Sequence, residues 1–149
     1  AACGLVIEAV VEDLDVKRSL LRQLEAIVGQ DCILATNTSS LSVTAIAAGM
    51  EHPQRVVGMH FFNPATRMKL VEVISGVETA PEIAEAVFAT SAAWGKKPAF
   101  AKSTPGCIVN RVARPFYGEA WRLYTQGAAV PATIDAIVLD SGGVRSPLL

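Results

Sequence analysis

The sequence predicts an α/β fold, a doubly wound sheet followed by a helical segment, and three observations support this. Short, continuous, β-branched runs at residues 5–10, 32–36 and 55–59 are typical of strands covered on both faces. Segments with helical spacing separate these runs, and a strand, a helix and a second strand form a crossover unit whose strands are parallel. Beyond residue 105 the pattern is helical alone. A largely parallel sheet is therefore expected to precede an all-α region.

The first predicted helix follows the first strand. Asp13 is its expected N-cap and Gly29 its expected end. Its apolar positions recur with helical spacing; they are Leu20, Leu21, Leu24, Ile27 and Val28. A second, short helix is predicted over residues 43–48, between a cap at Ser42 and a stop at Gly49.

The segment KLVEVIS, residues 69–75, alternates between two faces and predicts a strand. Glu72 falls on the same side of it as two apolar residues, which places an acid among core positions. A capping box of Thr79 and Glu82 is expected to open the next helix. That helix is predicted to end near Trp94 and Gly95.

A final strand is predicted around residues 98–102, and the character of the chain changes after it. One helical face recurs every three or four residues; it holds Ile108, Val112, Phe116, Ala120 and Leu123. Pro115 is an expected kink in this helix and Gly127 its expected end. We therefore expect residues 1–104 to form the sheet domain and residues 105–149 the beginning of a helical domain.

Composition narrows the class of protein. With 149 residues, 51% of them hydrophobic and 18% charged, the chain is long enough for one sizeable core. A formal net charge of -1 argues against a nucleic-acid partner. No apolar segment approaches the roughly 20 residues of a membrane helix. The cysteines, Cys3, Cys32 and Cys107, lack the spacing of a metal site or a disulfide frame, which predicts reduced thiols in a soluble, cytoplasmic protein without a metal.

Polar side chains collect where the predicted strands end. Glu12 follows the first strand, residues 37–40 follow the second, His60 and Asn63 the third, and residues 103–104 the last. In an open parallel sheet the ligand crevice lies outside the carboxyl ends of the strands. We therefore expect these side chains to converge on one cleft.

Each of these residues also has an ordinary structural interpretation. His60 could be a half-buried strand-end residue, and residues 37–40 a turn that caps a helix. Glu12 could be a solvated loop acid, and Lys17 an exposed charge on the first helix. It is their joint placement that favours a functional site.

Four strings carry a family resemblance: LVIEAVVE, NTSSLSV, GMHFFNPATRMKLVEVI and STPGCIVNRVARPFYGEAWRLYTQG. They resemble, in order and spacing, motifs of the L-3-hydroxyacyl-CoA dehydrogenase family, which includes 3-hydroxybutyryl-CoA dehydrogenases and related enzymes of aromatic-acid breakdown. The match covers nearly the whole chain. The resemblance implies NAD-dependent oxidation of the 3-hydroxyl of an acyl-CoA to a 3-ketone. It also implies the C-terminal half of a Rossmann-type sheet and a homodimer formed through the helical domain.

The resemblance also implies roles for single residues. His60 matches the catalytic base, and Glu72 matches the carboxylate that orients its imidazole. Ser39 and Asn110 match the groups that hold the substrate oxygen. The positions that line the NAD cofactor are matched by Glu12, Lys17, Ser39 and Asn63. The chemistry agrees with these roles, since removing hydride from a carbinol requires a base for the hydroxyl proton, and a buried carboxylate stabilises the imidazolium that forms.

Three departures from the family pattern have consequences. No G-x-G occurs in the chain, although the family binds the cofactor pyrophosphate on a G-x-G-x-x-G turn. We therefore expect the chain to be the middle of a longer enzyme, inactive and weak in NAD binding when isolated, and the preference for NAD over NADP is only inherited from the resemblance. Cys107 stands where the family usually has Phe, and residues 142–149 are an altered version of a family motif.

Two other functions are open at this point. The chain could be a non-catalytic, dimerising scaffold related to dehydrogenases. It could also belong to a related dehydrogenase that acts on a different 3-hydroxy acid, although such an enzyme is not expected to carry HFFNP with a Glu twelve residues after the His.

Overall fold

The computed structural model describes residues 3–142 and 147–148. The first part of the chain forms a sheet of five strands in the order β1-β2-β3-β4-β5. The strands are β1 (Leu5–Glu8), β2 (Ile33–Thr36), β3 (Val56–Phe61), β4 (Leu70–Ser75) and β5 (Lys97–Lys102). The helices are α1 (Leu14–Glu25), α2 (Val43–Ala47), α3 (Pro81–Ala93), α4 (Val109–Thr125) and α5 (Pro131–Asp140). The chain divides into two compact units, Ala1–Ile108 and Val109–Leu149.

Strand directions confirm the prediction for the first three strands and correct it for the last two. β1 pairs with β2 and β2 with β3 in parallel. β3 and β4 are antiparallel, and β5 runs parallel to β4, so the sheet is mixed. The reason is the short connection over residues 62–69, because a parallel pair needs a crossover of a dozen residues or more.

The reversal changes where two predicted site residues lie. Because β5 runs opposite to β1–β3, its carboxyl end lies at the other edge of the sheet, so the expectation that Ser103 and Thr104 join the cleft is wrong. Ser103 instead caps α2. Its Oγ accepts the Val43 amide at 3.0 Å and lies 3.4 Å from Ser42 Oγ.

Two of the three predicted helix caps are confirmed. Asp13 Oδ1 accepts the amides of Asp15 and Val16, each at 3.0 Å, and Ser42 Oγ accepts the Ala45 amide at 3.2 Å. Helix α1 ends at Glu25, before its predicted end at Gly29.

The predicted capping box of α3 is wrong. The hydroxyl of Thr79 donates to the Val56 carbonyl at 2.7 Å and accepts the Gly76 amide at 2.8 Å. It ties the turn after β4 to β3, so α3 begins after Ala80 without a side-chain cap. The predicted end is confirmed, since the helix ends at Ala93 and Gly95 adopts a left-handed φ of 75°.

Apolar clusters cover both faces of the sheet, as expected for a doubly wound arrangement. On one face, α1 and α2 pack against alternate strand residues; this cluster comprises Leu21, Leu34, Val43, Ile46, Ala47, Met50, Val56 and Ile74. On the other face α3 packs against the intervening residues; that cluster comprises Ala35, Val57, Met59, Val71, Val73, Ala84 and Val87. The polar residues described below sit at the ends of these well-packed strands.

The second unit is helical over its described residues, as predicted. α4 continues through Pro115 and ends before Gly127, whose φ is 71° and whose amide donates to the Tyr124 carbonyl at 3.0 Å. The altered motif at residues 142–149 falls mostly outside the described residues. Among the residues that the structure does describe, no helix has both the length and the apolar character needed to cross a bilayer.

Candidate active site

His60 and Glu72 form a buried pair at the end of β3. The antiparallel register places them directly opposite each other. His60 Nδ1 lies 2.8 Å from Glu72 Oε2, and the two side chains are 7% and 1% exposed. Opposite an ionised carboxylate, which only accepts hydrogen bonds, Nδ1 would be the donor and Nε2 the atom that can take up a proton. The strand-end histidine is thus oriented by a specific partner.

The second oxygen of Glu72 is bound by the backbone. The amide of Ile108 donates to Glu72 Oε1 at 3.0 Å. The preceding residues, Gly106 and Cys107, have left-handed φ values of 76° and 46°, and this turn directs the Ile108 N–H at the carboxylate. A positive φ in a residue other than glycine is costly, and such strain is common at functional sites.

The thiol of Cys107 lies in the environment of this carboxylate. Burial raises the pKa of Cys107, and the negative charge of Glu72 raises it further. The thiol is therefore protonated at neutral pH and is not a nucleophile.

A hydrogen bond joins the third strand end to the second. The amide of Phe61 donates to Asn37 Oδ1 at 2.8 Å, and the amide of Asn37 donates to the Glu8 carbonyl at 2.9 Å. The ring of Phe62 packs on that of His60 with centroids 4.5 Å apart. The HFFNP and NTSS segments are thus neighbours, as predicted, at the side of the sheet where the carboxyl ends of β1–β3 lie. This side is called the carboxyl edge below.

Glu12 binds the loop that contains Ser39. Its Oε1 accepts the amides of Ser39 and Ser40 at 2.8 and 3.0 Å, and the hydroxyls of Thr38, Ser39 and Ser40 at 2.7, 3.2 and 3.1 Å. Partial burial pushes the pKa of Glu12 upward, but the hydrogen bonds from Thr38, Ser39 and Ser40 outweigh it and lower the pKa to about 2. Glu12 is therefore ionised at neutral pH, and the interpretation as a merely solvated acid is wrong.

Lys17 lies beneath this loop and is not an exposed helix charge. Its side chain is 1% exposed, and Nζ lies 3.0 Å from Glu8 Oε1 and 3.4 Å from Glu12 Oε2. Glu8 is a member of this charged cluster that the sequence reasoning missed. The signal was present, because Glu8 is an acid inside a β-branched strand, as is Glu72.

The remaining candidate residues are Asn63 and Asn110. Asn63 is exposed in the loop after β3, next to Pro64. Asn110 lies at the start of α4 in the second unit. The first unit therefore brings together two groups at one edge of its sheet, His60 with Glu72 and Glu12 with Lys17 and Ser39.

A doubly wound sheet with polar side chains at the carboxyl ends of its strands defines the class of α/β domains that bind ligands at that edge. The chain belongs to the 3-hydroxyacyl-CoA dehydrogenase family. Residues 1–104 match the profile of its NAD binding domain and residues 106–149 that of its C-terminal domain. The resemblance found in the four motifs is confirmed.

Individual relatives agree with this membership. The chain is 53% identical over 143 residues to 3-hydroxyadipyl-CoA dehydrogenase of Escherichia coli (strain K12), covering 96% of the chain and 30% of that protein. It is 44% identical to the mitochondrial hydroxyacyl-coenzyme A dehydrogenase of Homo sapiens, covering 96% of the chain and 46% of that protein. The crystal structure of (S)-3-hydroxybutyryl-CoA dehydrogenase from Ralstonia eutropha superposes with a TM-score of 0.94 at 42% identity, covering 99% of the chain and 52% of that structure. The chain thus spans about half of these relatives or less.

Proposed function

We propose that the complete protein oxidises the 3-hydroxyl of an L-3-hydroxyacyl-CoA to the 3-ketoacyl-CoA with NAD. The observation that supports this most directly is the buried His60–Glu72 pair at the carboxyl edge of the sheet, with Nδ1 and Oε2 2.8 Å apart. The names of the relatives, which are dehydrogenases of hydroxyacyl-CoA substrates, support the substrate class.

In this proposal His60 is the base. Its Nε2 takes the proton of the 3-hydroxyl while Glu72 stabilises the imidazolium and keeps the ring oriented. The Ile108 amide on Glu72 Oε1 keeps the carboxylate in place for that task. Ser39 would bind the substrate oxygen, and the same role for Asn110 stays a prediction from the resemblance.

The residues at the carboxyl edge fit the nicotinamide half of NAD, which when bound supplies the hydride acceptor. Glu12 is ionised and partly exposed, so it can accept hydrogen bonds from ribose hydroxyls. Asn63 presents an exposed amide. Lys17 would support the cofactor through Glu12, because its ammonium is engaged beneath that carboxylate.

The complete protein is further proposed to be a cytoplasmic homodimer. The apolar face of α4 supports the dimer, since Val112 and Phe116 are 73% and 41% exposed in the chain. Such side chains are commonly covered by a partner in dimeric enzymes.

The test is a turnover assay of the complete protein with NAD and L-3-hydroxybutyryl-CoA, followed through NADH absorbance. Wild-type protein should turn over, and His60→Ala should lose nearly all activity. A folded wild-type protein without turnover on any hydroxyacyl-CoA would contradict the proposal and favour a non-catalytic scaffold.

A further inference from the structure

Glu8, the last residue of β1, has a buried carboxylate that the proposed reaction does not use. Both of its oxygens lie 3.0 Å from the ammonium of Lys17. Oε2 also accepts the Val10 amide at 3.0 Å, and Oε1 accepts the hydroxyl of Thr36 on the neighbouring strand. A buried carboxylate is costly unless it is paired and hydrogen-bonded. Glu8 therefore holds the groups that bind it, Lys17 above all, in fixed positions.

Lys17 connects this carboxylate to Glu12. Besides Glu8, its Nζ contacts the Val10 carbonyl at 3.2 Å and Glu12 Oε2 at 3.4 Å. The three N–H donors of the ammonium go to the two oxygens of Glu8 and to the Val10 carbonyl, and the contact with Glu12 is an ion pair. Since Glu8 is the fully buried anion of the group, it fixes the position of the positive charge under Glu12.

Glu12 in turn holds the Thr38–Ser40 loop. All five of its hydrogen bonds to that loop are made through Oε1, while Oε2 faces Lys17. A displacement of the Lys17 ammonium would therefore change the orientation of Glu12, and with it the loop that contains Ser39. A misplacement of about 1 Å can lower a rate on the order of 10²-fold.

We propose that Glu8 is a positioning residue: it holds Lys17 beneath Glu12, and through Glu12 it sets the position of Ser39. The inference rests on the proposed function in that Ser39 is taken to bind the substrate oxygen. Glu8 itself contacts neither substrate nor cofactor.

The first test is Glu8→Gln in the complete enzyme, which keeps the side-chain shape but removes the charge. We expect kcat/KM for the hydroxyacyl-CoA to fall about 10- to 100-fold, with the acid limb of its pH profile unmoved because His60 and Glu72 are untouched. A normal kcat/KM, or a moved acid limb, would overturn the proposal. If Glu8→Gln does not fold, Thr36→Val removes one hydrogen bond to Glu8 and should lower kcat/KM by a smaller factor.

Glu25→Gln is a matched control. Glu25 forms another buried ion pair, with Arg55 at 3.5 Å and side chains that are 10% and 5% exposed. Arg55 donates to the carbonyls of Gly29 and Gln30, ahead of β2 and away from the carboxyl edge. Glu25→Gln should lose stability without losing kcat/KM. An equal kinetic loss in both variants would show a general effect of weakened folding and overturn the proposal.

A double-variant comparison tests whether Glu8 acts through Glu12. If it does, Glu8→Gln combined with Glu12→Gln should be no slower than Glu12→Gln alone. Losses that multiply would mean that the two residues act independently, against the proposal.

Amide hydrogen exchange supplies a measurement that needs no turnover. The Ser39 and Ser40 amides, which donate to Glu12, should exchange about 10-fold faster in Glu8→Gln and at the normal rate in Glu25→Gln. Unchanged exchange in Glu8→Gln would overturn the positioning role. Faster exchange in a protein that oxidises no hydroxyacyl-CoA would contradict the proposed function while supporting the role of Glu8.

Discussion

Glu72 is the residue whose charge matters most to His60. Glu72→Gln keeps the size of the side chain but removes the anion 2.8 Å from Nδ1, so the protonated imidazole is less stabilised. The acid limb of the kcat/KM profile of the complete enzyme should move to lower pH. The plateau should fall on the order of 10²-fold or more, because the imidazolium formed in the reaction loses its partner.

An exposed acid provides the control for this substitution. Glu78→Gln changes the same formal charge in the loop after β4 and should leave both the limb and the plateau as they are. An unmoved acid limb with a near-normal rate in Glu72→Gln would show that the two residues are not coupled.

Glu12 makes folding depend on pH. Its pKa is about 2 in the folded protein against an ordinary 4.5, so the ionised form stabilises the fold above pH 4.5 and that contribution is lost as the pH falls toward 2. Because its side chain is 34% exposed, solvent screening limits the contribution to about 1 kcal/mol. Urea unfolding should therefore show wild type more stable than Glu12→Gln at neutral pH, with the difference shrinking below pH 4.5. A difference that is constant over this range would contradict the prediction.

Gly58 of strand β3 lies so close to strand β4 and helix α2 that a side chain has no room. A Cβ there would lie 2.7 Å from Ile74 Cβ and 3.0 Å from Val43 Cγ2. Gly58→Ala should therefore lower the free energy of unfolding by about 1–3 kcal/mol in a urea titration. At Gly29 a Cβ would meet nothing within 4 Å, so Gly29→Ala should change stability by less than about 0.5 kcal/mol. Equal effects of the two substitutions would contradict this packing.

The turn before α4 contains a strained residue. Cys107 has a φ of 46°, which a residue with a Cβ adopts at a cost. Cys107→Gly should therefore be about 1 kcal/mol more stable than Cys107→Ala, since both lose the thiol and only glycine relieves the strain. Thermal unfolding of the two variants measures the difference. Alanine equal to glycine would mean that the turn is not strained.

The complete protein is predicted to form a dimer. Helix α4 exposes several large apolar side chains, among them Val112 and Trp121 at 73% and 58%. Light scattering of the complete protein at micromolar concentration should give twice the mass of its polypeptide. A stable monomer would contradict the proposed dimer.

Local signals predicted the features that depend on neighbouring residues. Asp13 and Ser42 cap helices because the cap is made within three residues, and Glu72 was recognisable as an acid among apolar strand positions. The four motifs, taken together in their order and spacing, indicated the family. The parallel order of β1–β3 followed from the crossover pattern.

Contacts between distant segments could not be predicted in this way. The reversal at β4 sent Ser103 to the opposite edge of the sheet, and the Thr79 hydroxyl bound β3 instead of capping α3. The sequence alone suggested that Lys17 is an exposed charge. In the structure it is buried, because the packing of α1 on the sheet brings it to Glu8. Helix caps and periodicity are local properties of the chain, whereas the direction of a strand and the partner of a buried charge depend on which remote segment packs against it.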